Sequence, residues 1–104
     1  DLCWAVAAGA DPVKYFEKYP GRFPLVHVKD WAKGGSENPE YKVAVGHDPG
    51  AGHLANVGEG SIDFKRIFEH SSKAGIKHYF VENDDAKGLD DIRVSYNYLS
   101  KLEA

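Results

Sequence analysis

The stretch LVHVKDWAKGG, Leu25 to Gly35, decides how the rest of the chain is read. An apolar run stops abruptly in a histidine, a lysine and an aspartate, and glycines follow. FPLVHV, the run as a whole, lacks the alternation of a half-exposed strand. It reads instead as a strand covered on both faces, as in a parallel sheet. Chemistry-bearing side chains at the carboxyl end of such a strand belong to the rim where α/β folds bind ligands.

Working outward, GADPVKYFEKYPGR upstream reads as a short helix. Asp11 accepts from free amides of the first turn, Pro12 suits the first helical position, and YPG stops it. Downstream, Lys29 to Ser61 reads as one long irregular segment rich in glycine, with Pro39, Pro49 and the run GHDPGAGH. A loop of that length inside a compact domain is usually a functional one. IDFKRIFEHSSKAGI follows as a second helix, with Asp63 as cap and Phe64, Ile67, Phe68, Ser71 and Ala74 on one face. Gly75 supplies its left-handed stop. KHYFVEN is the second clear strand and ends at Glu82. GLDDIRVSYNYLSKLEA is a third helix, with Ile92, Tyr96, Leu99 and Leu102 expected to face inward. With no hairpin signal between these segments, the order is one of repeated β/α units and a parallel sheet.

Composition narrows the function. The 104 residues make one domain, and 42% hydrophobic with 12% aromatic residues suffices for a core. Thirteen basic residues are scattered among 16 acidic ones, so no basic stripe suits a phosphate backbone and nucleic acid is not an expected partner. The single cysteine, Cys3, excludes an intrachain disulfide and any cysteine-based zinc motif. Nothing basic beside it marks an activated thiolate, so it reads as a small buried residue. No apolar run approaches the roughly 18 residues of a membrane span. A soluble chain with no membrane partner is expected, its compartment left open between cytoplasm and bacterial periplasm.

Three strand ends carry potential ligands: Asp1 in DLCW, His27 in HVKD and Glu82 in VEND. Two carboxylates and one imidazole on one rim suit Mn²⁺, Mg²⁺, Co²⁺ or Zn²⁺. Each also has an ordinary reading: Asp1 as a helix cap, His27 as a hydrogen-bonded histidine, Glu82 as the partner of a lysine. His47 and His53 fall in the long loop and read as surface residues. His70 and His78 lie away from the rim and read as structural.

The segments DLCWAVAAGADPVKYFEKYPGRFPLVHVKD, VGEGSIDFKRIF, HYFVEND and IRVSYNYLSKL together resemble the C-terminal part of the sugar phosphate isomerase/epimerase family, the xylose-isomerase-like TIM barrels. The resemblance covers nearly the whole chain apart from roughly Gly34 to Asn56. It implies that residues 1–104 are about the sixth to eighth units of a (β/α)₈ barrel, a single domain whose N-terminal part is absent. Such a barrel takes about 250 residues, so the rest of the barrel or another chain is expected to complete the fold. The family binds a divalent metal through Glu, Asp, His and Glu, and Asp1, His27 and Glu82 match the last three. The first glutamate would lie upstream.

By the same resemblance the expected activity is isomerisation or epimerisation of a sugar or sugar phosphate through a metal-stabilised enediolate. Glu82 is then the proton carrier. Lys29 and Lys33 become candidates for holding a substrate hydroxyl or phosphate. Trp4 stands where several relatives carry a histidine and offers a stacking face for a sugar ring. The GEG of Gly58 to Gly60 reads first as a plain structural turn whose glycines permit close backbone approach, with Glu59 holding the loop by hydrogen bonds as the alternative. A keto-sugar or inosose dehydratase, a lyase on the same fold, and a non-catalytic sugar-binding relative are the alternatives. Related three-zinc DNA-repair endonucleases fit less well, because Trp4 and Leu54 stand where histidines would be needed.

Overall fold

In the computed structural model, which describes residues 1–33 and 52–104, aspartates set the ends of the first helices. Asp1 is the N-cap of α1 (Leu2–Ala7) and accepts the Trp4 N–H at 2.9 Å; Asp11 caps α2 (Pro12–Lys18) through the Val13 N–H. Pro12 opens α2, where its missing amide costs nothing. Asp1, expected at the end of a strand, thus enters the fold as a helix cap.

The chain then forms β1 (Leu25–Val28), which pairs in parallel with β4 (His78–Val81), His27 lying opposite Phe80. A small parallel sheet within a mixed α/β arrangement is the observed architecture. One expectation changes. Val26 and Val28 are buried, whereas Leu25 is 57% exposed and His27 is exposed too. α1 packs against β1, and no described element covers the face that bears Leu25 and Phe80. An unbroken apolar run therefore meets a covering layer on one side among the described residues.

The expected irregular segment is a second correction. It contains β2 (Asp30–Lys33) and β3 (Gly52–Ala55), an antiparallel pair in which Trp31 faces Leu54. Both of those side chains are buried, and that cross-strand contact sets the register. His53 accordingly sits on a strand, half-buried, rather than in a loop. His47, Pro39 and Pro49 lie outside the described residues.

The second expected helix divides into α3 (Phe64–Glu69) and α4 (Ser71–Ala74), with His70 at the break. Side chains compete for helix carbonyls there. The Ser71 hydroxyl donates to the Phe68 carbonyl at 2.7 Å, and His70 Nδ1 lies 2.8 Å from the Arg66 carbonyl. Gly75 closes α4 at φ 81°, the left-handed stop read from the sequence.

The last helix, α5 (Leu89–Lys101), is rotated from its expected face. Ile92 is 43% and Tyr96 69% exposed, while Ser95 is fully buried and Tyr98, Leu99 and Leu102 pack on the core. A polar contact explains the turn: the Val57 N–H donates to Ser95 Oγ at 3.0 Å. That core includes Val28, Val57 and Phe64, all wholly buried, and burial of such side chains contributes roughly 1.5–3 kcal/mol each. Among the described residues no helix is long and apolar enough to cross a membrane.

Candidate metal centre

The parallel pairing of β1 and β4 aligns their carboxyl ends. It continues one step further when the Glu82 N–H donates to the Val28 carbonyl at 3.0 Å. This places Glu82 beside the end of β1, and the cap of α1 brings Asp1 to the same point. His27 Nδ1 lies 3.4 Å from Asp1 Oδ2 and 3.3 Å from Glu82 Oε2. One donor atom from each of the three residues falls within 4.8 Å of the others.

These separations are informative. At 3.3–3.4 Å the contacts are longer than an ordinary N–H···O hydrogen bond. Ligands bound at about 2.1–2.2 Å and at right angles around one ion would stand about 3.0 Å apart. Two hard oxygens and one imidazole nitrogen in that spacing fit a divalent cation. The cluster also opens outward, the His27 side chain being 48% and Glu82 37% exposed against 14% for Asp1.

Lys29 completes the charge pattern from below. Its side chain is 5% exposed, and Nζ stands 2.7 Å from Asp84 Oδ2, 3.2 Å from Glu82 Oε2 and 3.7 Å from Asp1 Oδ2. The ammonium also lies 5.0 Å from the centre of the Trp4 ring. Burial by itself would lower the Lys29 pKa, but its hydrogen bonds to Asp84 and Glu82 outweigh that, and the net shift is upward. Trp4, itself edge-on to Trp31 at 6.5 Å, walls the ammonium in.

A residue to which the sequence alone assigned no role organises the adjoining loop. Asp30 is fully buried and accepts four backbone amides. Trp31 and Ile62 donate to Oδ1 at 2.7 and 3.3 Å, and Gly58 and Gly60 each donate to Oδ2 at 2.9 Å. A Cβ on Gly60 would run into that carboxylate, so the glycine is required by close approach. Asp30, one residue after Lys29, thus holds the GEG turn, and Glu59, the alternative for that task, is exposed. The signal was present in the sequence as an aspartate preceding a GEG loop, but nothing in spacing says that residues 30 and 60 meet. Beyond the loop, the Asn83 amide donates to Asn56 and the Asn56 amide to Asp91, tying β4 to α5. Asp91 is held below the usual carboxylate range by the Lys87 N–H and by Asn56.

The structure therefore brings together Asp1, His27, Glu82, Lys29 and Trp4. It separates Lys33, whose side chain lines a different cavity, of about 480 Å³, with Val6, Ala7, Ile62 and Arg66. Cys3 is wholly buried near Asp30, and burial pushes its thiol up to about 12, in keeping with a structural residue. His70 and His78 stand outside the cluster, His70 at a helix break and His78 opening β4. In comparisons with known proteins, no family model matches this chain and no curated protein matches it.

Proposed function

We infer that the chain carries part of the active site of a divalent-metal-dependent carbohydrate isomerase or epimerase, built as the C-terminal portion of a TIM barrel. The observation that carries this reading is the convergence of Asp1, His27 and Glu82 at adjoining parallel strand and helix ends. His27 and Glu82, 26 and 81 positions after Asp1 in sequence, meet it with donor types and spacing suited to one ion. The parallel β1–β4 pair, with α1 and α2 before it and α5 after it, is what β/α units of a barrel would supply.

Asp1, His27 and Glu82 would hold the ion, Mn²⁺, Mg²⁺, Co²⁺ or Zn²⁺, and its chemistry would be polarisation of a substrate carbonyl or hydroxyl. Glu82 is the residue placed to take a proton from the neighbouring carbon and return it elsewhere, because its carboxylate is both at the cluster and partly open to solvent. Lys29 faces three carboxylates and is poorly placed to reach outward, so its part is to hold Glu82 rather than to bind substrate directly. Trp4 lends its ring to Lys29. Lys33 has no part in this arrangement. The rest of the barrel, including a further glutamate ligand, would come from outside these residues.

The test is solvent deuterium entering the carbon beside a sugar carbonyl, measured on the full chain after chelation and resupply of each metal. Glu82→Gln removes the basic oxygen and is expected to slow exchange by about 10²–10⁴-fold. Exchange that survives both chelation and Glu82→Gln would overturn the reading. Exchange with loss of water and no isomer would reassign the protein to the dehydratase alternative.

A further inference from the structure

The same two oxygens face both the imidazole and the ammonium in this geometry. Asp1 Oδ2 and Glu82 Oε2 are the atoms that face His27 Nδ1, and they are also the atoms that face Lys29 Nζ. An ion drawing on both oxygens must share them with the ammonium. Lys29, however, is held most closely by a third carboxylate, Asp84 Oδ2 at 2.7 Å, which stands outside the cluster. Leaving the imidazole aside, Asp1, Glu82 and Asp84 against Lys29 leave two negative charges, the complement of a divalent cation.

We propose that Lys29 is a resident cation that competes with the metal ion for Asp1 and Glu82, and that Asp84 is the seat that keeps it in place when the ion binds. This rests on the metal reading of the cluster. In the metal-free protein the ammonium stabilises two neighbouring carboxylates whose mutual repulsion would otherwise spread them. When an ion arrives, the Lys29 charge opposes it, and the Lys29–Asp84 pair limits how strongly. Lys29 and Asp84 are therefore positioning residues that set metal affinity without ligating the metal. Their removal acts in opposite directions, which separates this role from general support of the fold.

Mn²⁺ titration of the full chain, followed by the electron paramagnetic resonance of free Mn²⁺, reads it directly, with thermal melts of the metal-free protein alongside. Wild type should bind Mn²⁺ and His27→Ala should lose that binding. Lys29→Met should bind about tenfold more tightly while its metal-free form melts lower, and Asp84→Asn should bind about tenfold more weakly. A residue of merely structural importance would weaken binding in both variants. Unchanged or weaker binding in Lys29→Met, with His27→Ala still abolishing it, overturns the role of Lys29 and leaves the metal site standing. Should Lys29→Met fail to fold, Asp84→Asn decides, since unchanged or tighter binding there overturns the same role. Wild-type protein that binds no Mn²⁺, or binds it equally in His27→Ala, removes the metal reading and the competition with it.

Discussion

Asp30→Asn is the most exacting perturbation of this fold, because it changes hydrogen bonding while leaving shape almost intact. The native carboxylate accepts from Trp31 and Ile62 on one oxygen and from Gly58 and Gly60 on the other. An amide in its place must turn its NH₂ towards one of those pairs, donor against donor. Three of the four contacts lie between 2.7 and 2.9 Å, and the Ile62 contact at 3.3 Å is weaker. Hydrogen bonds to a charged group contribute about 1.5–3 kcal/mol each, and a buried donor left unpaired costs about 1–3 kcal/mol. Two donors left unpaired therefore cost about 2–6 kcal/mol, and Asp30→Ala, which leaves all four without the carboxylate, costs at least as much even where water re-pairs some of the amides. Urea unfolding of the full chain, read as a shift in midpoint at constant slope, measures this. An Asp30→Asn variant that loses less than about 1 kcal/mol would refute the role of Asp30 as the tie between β2 and the GEG loop.

Two further outcomes follow from the charges and the thiol. Cys3 is wholly buried with its pKa pushed up to about 12, so a thiol reagent at pH 8 should label it only on unfolding; labelling of native protein at the rate of a free thiol would contradict its burial. Asp11, held below its ordinary pKa by the two-pronged bond from Arg66 at 2.9 and 2.7 Å, should contribute stability above the unfolded value of 3.8. That contribution is lost as pH falls through the lower folded value. The small stability difference between wild type and Arg66→Gln should hence shrink in acid, and a difference constant from pH 7 to pH 2 would show that the pair is not coupled.

What local chemistry dictates was legible in the sequence. Asp11 and Pro12 begin α2, Asp63 caps α3, Gly75 ends α4, and the two apolar runs ending at Val28 and Val81 are the parallel strands. Each depends on groups within a few residues of one another. Asp1, His27 and Glu82 could be named as candidates for the same reason: ionisable groups at segment ends, where strands and helices release side chains towards a rim. Their meeting at 3.3–3.4 Å belongs to the tertiary structure, since it needs β1 and β4 side by side and α1 packed against β1.

Other features follow from contacts between residues far apart in the chain. β2 and β3 carry no turn signal that periodicity would catch, and they pair because Trp31 and Leu54 bury each other. The inward face of α5 follows from the Val57 amide seeking Ser95, not from the spacing of Ile92 and Tyr96. Lys29 and Asp30 are neighbours with the same look of loop residues, yet one becomes the buried ammonium of an acidic cluster and the other the buried acceptor of four amides. Sequence settles which groups can bear charge or cap an end; only packing decides which of them lose water, and a charge that has lost water must find its partners wherever the fold has put them.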